Sequence, residues 1–479
     1  MTEKLKNTQI AVIGGGPGGY PAAFLAADLG LQVTLIDNEP NPGGVCLYRG
    51  CIPSKALLHA ARVITEAKEA SNWGISFSEP DIDIDKLRNW KDNVVGKMTG
   101  GLGQLCKHRK ISYIQGRAKF LSNETLEIQN QKGRELLSFE NAIIATGSRP
   151  AILSDLSIDS PHLLDSTSGL DLPDVPKTML VVGGGYIGLE LGTVYAALGT
   201  KVSVVEMTSG LMPGVDRDLV SVLSKRLEKI FDSIILDAKV VDMNEQRSGI
   251  RVKFEASNVN GNEQVFEKVL ISVGRRPNSE DLGLENTAVE TDTKGFIKVD
   301  VQRRTSEPSI FAIGDVAGEP MLAHKATHEG RVAAEVIAGH NVAFEPNAIP
   351  AVVFTDPEIA WCGLTETDAN RENRLVKIAR FPWGASGRAT TLDRNDGVTK
   401  LIIDPETEEI LGVGIVGTGA GELISEGVLA VEMRANVDDL KLCIHPHPTL
   451  SETIMEAAEI FFGQSTHVYR PRKGKVEKG

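Results

Sequence analysis

Two cysteines five positions apart, Cys46 and Cys51, lie in the run Gly43-Gly44-Val45-Cys46-Leu47-Tyr48-Arg49-Gly50-Cys51-Ile52-Pro53-Ser54-Lys55. Five cysteines in 479 residues do not make a structural disulfide framework, and in a reducing compartment a close pair is catalytic or metal-binding. A metal site needs two further soft ligands at matching spacing, but Cys106, Cys362 and Cys443 stand alone. No metal is therefore expected, and those three cysteines are expected to be small buried core residues. On a regular helix, residues five apart rise about 7.5 Å, whereas disulfides rarely bridge Cα atoms beyond about 7 Å. If Cys46 and Cys51 pair, the segment must be distorted, and Gly50 could permit it. A strained, exposed disulfide is more easily reduced, which suits a catalytic couple. The helix expected over 56–67 would favour a thiolate at Cys51, near its N-terminus.

A redox pair needs an electron partner, and the chain offers two. The strand expected over 9–14 runs into Gly14-Gly15-Gly16-Pro17-Gly18-Gly19, a helix follows, and the strand over 31–36 ends on Asp37, 23 residues after Gly14. Gly14, Gly16 and Gly19 let the backbone approach a pyrophosphate at the helix N-terminus, and Asp37 is placed for ribose hydroxyls. The unit recurs. A strand over 178–182, Gly183-Gly184-Gly185-Tyr186-Ile187-Gly188, a helix and a strand over 201–205 end on Glu206, again 23 residues on. Gly183, Gly185 and Gly188 are its phosphate-turn glycines. Glu206 would bond a ribose 2′-hydroxyl and repel a 2′-phosphate, and Met207, Thr208 and Ser209 offer no arginine. NAD rather than NADP is expected. Two dinucleotide sites imply two cofactors passing electrons between them.

Composition narrows the class. A net charge of −13 argues against nucleic acid, which demands an excess of Lys and Arg on one face. The basic tail (Arg470, Arg472, Lys473, Lys475, Lys478) reads as a solvated terminus or a segment that steers a partner. No apolar run reaches the 18 or so residues of a membrane span, and the polar start Met1 to Gln9 is no signal peptide. A cytoplasmic location is expected.

The cysteine run resembles the active-site signature of flavoprotein disulfide reductases, most closely their branch that oxidises dihydrolipoyl groups. The similarity spans nearly the whole chain. It implies FAD as the first cofactor and NAD as the second, with Cys46 exchanging with substrate and Cys51 facing the flavin. By the same resemblance Gly116, Gly147 (in Ala145-Thr146-Gly147), Asp315 (in Gly314-Asp315) and Ala323 contact FAD. Gly274 and Val240 lie near NAD, Tyr186 covers the nicotinamide pocket, and Lys55 and Glu190 pair near the flavin. Read alone, Gly314-Asp315 is as readily a turn.

His447 and Glu452, in Ile444-His445-Pro446-His447-Pro448-Thr449-Leu450-Ser451-Glu452, match the family's acid/base histidine and its orienting carboxylate. Thr449 to Glu452 also reads as a capping box at a helix start. His445 is assigned a structural role. The expected fold is α/β: two Rossmann-like dinucleotide-binding domains, for FAD and NAD, plus a C-terminal α+β dimerisation domain. Its segments are 1–150 (FAD), 151–280 (NAD), 281–349 (FAD/central) and 350–479 (interface). The resemblance implies a homodimer with its active site shared across the interface. The substrate carrier is a lipoylated protein: an acyltransferase of a 2-oxoacid dehydrogenase complex, the glycine-cleavage H protein or a free-standing lipoate-binding protein. Other reductases of the family fit less well: glutathione and trypanothione reductases show Val-Asn-Val-Gly where this chain has Leu47-Tyr48-Arg49-Gly50. A non-catalytic anchoring subunit would not need Cys46, Cys51, His447 and Glu452 together.

Overall fold

Ile10, Ala11 and Val12 are wholly buried, as a strand covered on both faces of a parallel sheet must be. The computed structural model describes residues 6–469 apart from 154, 155, 157, 257 and 258; the basic tail lies outside them. In chain order the first stretch gives β1 (Lys6–Ile13), α1 (Gly19–Asp28), β2 (Val33–Asp37), α2 (Gly44–Arg49), α3 (Cys51–Glu69) and α4 (Ile84–His108). Then come β3 (Ser112–Gln115), β4 (Arg117–Ser122), β5 (Thr125–Asn130), β6 (Gly133–Ile144) and β7 (Ser148–Pro150). The second nucleotide segment holds β8 (Thr178–Val182), α5 (Tyr186–Ala197), β9 (Lys201–Val205), α6 (Arg217–Ile230), β10 (Ser233–Ile235), β11 (Ala238–Gln246), β12 (Gly249–Ala256), β13 (Val259–Phe266) and β14 (Lys268–Ile271). After it come β15 (Arg275–Pro277), β16 (Ile310–Ala312) and α7 (Ala323–Ile337). The last third holds β17 (Ala351–Val353), β18 (Glu358–Gly363), α8 (Glu366–Arg371), β19 (Lys377–Pro382), α9 (Gly387–Thr391), β20 (Val398–Ile403) and β21 (Ile410–Gly417), then α10 (Ala420–Glu432), α11 (Val437–Leu442) and α12 (Glu452–Phe462).

These elements form two compact units. The first comprises the described residues of 1–60, 67–175 and 271–345. Its sheet runs β3-β2-β1-β6-β5-β4, with β16 also on β6. The strands from β3 to β6 and β16 pair in parallel, and β4, β5 and β6 pair antiparallel. In β1 against β2, Ile13 pairs with Ile36, so the turn after β1 and Asp37 emerge side by side at the carboxyl edge, where ligands of open α/β sheets bind. α1 and α7 pack together. Close approach is possible because a side chain at Gly330 would stand 2.5 Å from the Gly18 carbonyl.

The second unit comprises the described residues of 61–66, 176–270 and 346–479. β8, β9 and β10 repeat the parallel arrangement, and β11-β12-β13 form an antiparallel sheet. The last third builds the antiparallel sheet β17-β18-β21-β20-β19, with α10 on β18 and β21 and α12 on β19 and β20. Its core is centred on Trp383, fully buried, whose ring N–H donates to Thr399 Oγ1 at 3.0 Å. Gly397 and Gly417 leave room for that ring: a Cβ at either would fall within 2.3 Å of it.

Candidate active site

Each nucleotide turn is closed by its own acid. In the first unit Gly14 has φ +105°, which L side chains avoid, and a Cβ there would stand 2.2 Å from the Ala145 carbonyl. Its N–H donates to Ile36 O at 2.8 Å. The next N–H, of Gly15, donates to Asp37 Oδ2 at 2.5 Å, and Glu39 N–H donates to Oδ1 at 2.9 Å. Burial pushes the Asp37 carboxyl up, while the Gly15 N–H and the Arg49 charge pull it back. Gly116 N–H donates to Asp37 O at 2.8 Å, and a Cβ at Gly116 would meet the Gln129 carbonyl at 2.7 Å. Gly14, Gly16, Gly19, Asp37 and Gly116 thus gather around one turn.

The cysteine segment leans on that turn. Gly43 N–H donates to Gly15 O at 2.7 Å, and a Cβ at Gly44 (φ +56°) would fall 2.4 Å from Gly16 Cα. α2 stops at Arg49, and Gly50 (φ −144°, ψ −115°) breaks the helix before α3 resumes at Cys51. A side chain at Gly50 would stand 2.9 Å from Val45 O and 3.2 Å from Cys46 Cα, so the two cysteine-bearing helices meet over a glycine. α3 starts five residues before the expected position because Pro53, its third residue, is tolerated in a first turn. The Cys46 thiol is pushed up by its contact with Cys51 and by burial, against the pull of the Lys55 charge.

Near Gly147 a short relay forms. Arg275 Nε donates to Ser148 Oγ at 2.7 Å, and Ser148 Oγ donates to Asp315 Oδ2 at 2.5 Å. Gly147 (φ +69°) and Gly274 (φ +117°) face open space, with nothing within 4 Å of an added Cβ. α7 starts at Ala323, so the N-terminal, positive end of its dipole lies there. Glu329 was not among the expected residues. Fully buried, it accepts from Gly314 N–H at 2.6 Å and from Arg303 at 3.0 Å, and pairs with Lys325 at 3.1 Å. It thereby ties the Gly314-Asp315 turn to α7. An acid one turn after Lys325 on a helix face of small residues (Ala326, Gly330, Ala333) was the available signal.

In the second unit Gly183 (φ +105°) donates to Val205 O at 2.8 Å. Glu206 Oε2 accepts from Gly184 N–H at 2.7 Å, and Oε1 accepts from Thr208 N–H at 2.9 Å and Thr208 Oγ1 at 2.8 Å. Gly185 caps α5 with nothing within 4 Å of an added Cβ. Tyr186 opens α5 half-exposed, Gly188 is buried in it, and Met207 is 71% exposed. Arg217, near this turn, is committed to the carbonyls of Leu211 (2.8 Å) and Val215 (2.9 Å). Val240 lies buried in β11, paired with Phe254. Glu190 is buried in α5 and accepts from Phe354 N–H at 3.0 Å.

His447 and Glu452 meet. His447 Nδ1 lies 2.9 Å from Glu452 Oε1, and Thr449 N–H donates to Oε2 at 2.8 Å. The His447 side chain is 70% exposed and that of Glu452 20%. Burial raises the Glu452 carboxyl, but the Thr449 N–H and His447 outweigh it and hold it below the ordinary range. Of the expected capping box only this half forms: α12 starts at Glu452 itself, with Ser451 as N-cap and no side-chain cap. His445 bonds Cys443 O (3.0 Å) and Glu426 (2.8 Å) with its two ring nitrogens, which fits a structural role.

Cys106 and Cys362 are buried as expected. Cys443 is not: it ends α11 at the surface, where the chain leaves the core towards the exposed Ile444. Three acids cluster at Asp216, Asp218 and Glu366, but their occupant is Lys400, fully buried and 2.6, 2.7 and 3.3 Å from them.

The glycine turns fit nucleotide cofactors, since positive φ, close backbone approach and open space at Gly147, Gly185 and Gly274 leave room where side chains would intrude. Comparison with known proteins agrees. Dihydrolipoyl dehydrogenase of Vibrio cholerae is 47% identical over 97% of this chain and 98% of its own length. That of Geobacillus stearothermophilus is 44% identical over 96% and 97%. The crystal structure of LpdA from Mycobacterium tuberculosis superposes with a TM-score of 0.88 at 26% identity, covering 95% of this chain and 99% of that one. The flavoprotein disulfide reductase RclA of Escherichia coli, solved as a Cu(II) complex, gives 0.85 at 26%, covering 95% and 100%. The pattern of pyridine nucleotide-disulphide oxidoreductases matches residues 8–330 and that of their dimerisation domain residues 349–458. A cysteine pair laid on one nucleotide turn, a second such turn and a C-terminal dimerisation sheet thus have one source: the chain belongs to the pyridine nucleotide-disulphide oxidoreductase family.

Proposed function

We propose that this chain is a dihydrolipoyl dehydrogenase, oxidising protein-bound dihydrolipoyl groups and reducing NAD⁺. Near-full-length relatives carry that activity in their names. The observation that carries the reading is the His447–Glu452 pair: Nδ1 is tied to a carboxylate, so the exposed Nε2 is free to accept a proton. Segments 1–150 and 281–349 would hold FAD through Gly14, Gly16, Gly19, Asp37, Lys55, Gly116, Gly147, Asp315 and Ala323. Segment 151–280 would hold NAD through Gly183, Gly185, Tyr186, Gly188, Glu190, Glu206, Val240 and Gly274. Residues 350–479 dimerise the chain.

In the reaction a lipoyl thiol gives its proton to His447 of a second copy, because the thiolate is the nucleophile. Glu452 stabilises the resulting imidazolium. The thiolate attacks Cys46 in the Cys46–Cys51 disulfide, the S–S bond breaks, and Cys51 leaves as a thiolate. The second lipoyl sulfur attacks the first, closing the oxidised ring and breaking the bond to Cys46, and its proton passes to the departing Cys46 thiolate. Two electrons now rest on the cysteines. The reduced pair then holds one proton, on Cys46, and one negative charge, on Cys51 at the N-terminus of α3, where a thiolate is favoured. FAD, when bound, supplies the two-electron relay from this dithiol to NAD⁺. The partner is a lipoylated carrier: an acyltransferase of a 2-oxoacid dehydrogenase complex, a glycine-cleavage H protein or a free-standing lipoate-binding protein. Among the described residues no helix is long and apolar enough to cross a membrane.

Cys46→Ser tests the reading. The purified variant keeps its flavin absorbance but oxidises dihydrolipoamide more than about a thousandfold more slowly. Turnover at the parent rate would sink the dithiol route.

A further inference from the structure

Glu452 has a counterpart one turn along the same helix. Glu456 follows it at i+4, so the two side chains share a face of α12. Glu456 is only 4% exposed in its side chain, and a buried carboxylate is costly unless paired. Both its oxygens are occupied: Oε1 meets His467 Nδ1, and Oε2 accepts from Ser465 Oγ at 2.7 Å. Ser465 Oγ accepts in turn from Val468 N–H at 3.2 Å. Beyond the left-handed Gly463 (φ +67°), Gln464 N–H donates to Glu459 O at 2.9 Å and Thr466 N–H to Glu459 Oε2 at 3.3 Å. The segment after α12 is thus folded back along the helix by its acids. Two histidine–carboxylate pairs stack on one helix, and only the first has a part in the proposed reaction.

We propose that the Glu456–His467 pair is a positioning couple that sets the pH at which His447 serves as base. The inference rests on the function proposed above. Glu456 brings a negative charge within one turn of Glu452, and His467 can offset it. The charge of His467 contributes, with that of His447, to holding the Glu452 carboxyl low. The other charged groups around α12 are already engaged. Lys377 of β19 lies over the Phe461 ring at 5.0 Å, and Lys441 of α11 over Phe462 at 4.6 Å and near Asp438. Arg380 of β19 and Lys400 of β20 serve Asp216, Asp218 and Glu366. His445 serves Glu426. Removing the positive charge that His467 can carry therefore leaves one more uncompensated negative charge beside the dyad. That favours the protonated imidazole, which cannot accept a proton from substrate.

The test is the pH profile of kcat/KM for dihydrolipoamide on the holoenzyme, with bound flavin and NADH-to-dye activity as controls. His467→Gln moves the acid limb up by about half a pH unit. His467→Lys keeps a cation at this half-exposed position and leaves the limb where the parent has it. Glu456→Gln moves the limb down, and the double variant E456Q/H467Q returns it to the parent position. The proposal is overturned if H467Q and the parent coincide, if H467K moves as far as H467Q, or if E456Q moves the limb upwards. Should H467Q lose its flavin, E456Q decides by the same criterion, and an H467K limb displaced from the parent position overturns the proposal. A parent enzyme inert to dihydrolipoamide would instead overturn the function itself.

Discussion

The two nucleotide units use the same turn and hold it in opposite ways. In both, the first glycine has φ +105°, and in both the second glycine donates to an acid at the end of the next strand. The first turn is roofed and clamped by backbone. Gly43 and Gly44 of the cysteine segment lie on it, and Gly18 and Gly330 bring α1 and α7 together. The second turn is open at Gly185 and Met207, and α6 behind it is fixed by buried charge, Asp216 and Asp218 gripping Lys400. A turn built into its surroundings suits a resident cofactor, and an open one suits a molecule that must leave each cycle. The family's pairing of FAD with NAD asks for that asymmetry.

The comparison breaks most severely at Lys400. Lys400→Met strips the buried Asp216 of its cation, with Arg380 left to Asp218 and Glu366, and destabilises the second unit by about 3–5 kcal/mol, read as a fall in Tm that spares flavin binding in the first unit. Acid acts on the same contact. Burial raises Asp216 and Asp218, but bonds and charge from Lys400 outweigh it and hold both below the usual range. Their contribution is therefore complete above the unfolded value of about 3.9 and is lost as pH falls below it. Loss of NAD-dependent activity ahead of flavin release below about pH 4 checks this; simultaneous loss contradicts it. Next comes Gly19→Ala. Its Cβ would stand 1.8 Å from Gly14 O, which costs about 1–3 kcal/mol or more and strips the flavin, whereas Gly185→Ala leaves Tm and flavin unchanged. The smallest effect belongs to Glu206→Gln, which lowers the NAD⁺ over NADP⁺ preference about tenfold in kcat/KM by removing the charge that repels a 2′-phosphate. An undiminished preference would remove Glu206 from cofactor choice.

Legibility in the sequence followed the range of the interaction. β8 and β9 were readable to the residue because a parallel strand between covered faces is a continuous apolar run, and the glycine turns because positive φ leaves few alternatives to glycine. His447 and Glu452 lie five positions apart, so their meeting was a local matter. Glu329 left only the weak mark of an acid among small residues, and Lys400 left none: a charged residue in a helix or strand looks solvated until other parts of the chain enclose it. Lys400 meets acids from α6 and α8, and nothing in the local pattern of β20 marks its side chain as buried. Cys443 failed for the converse reason. Its neighbours are apolar enough for a core, but the chain leaves the core there. α2 was not anticipated because six residues carry too little periodicity to register.

The half-formed cap at Thr449 makes one backbone amide an observer of the site. Its proton is held by the carboxylate that orients His447, so solvent can take it only when that carboxylate lets go. Local opening of the first turn of α12 and misalignment of the imidazole are then a single event. The rate at which deuterium enters Thr449 counts how often the base is out of register, in the resting enzyme and without any substrate present.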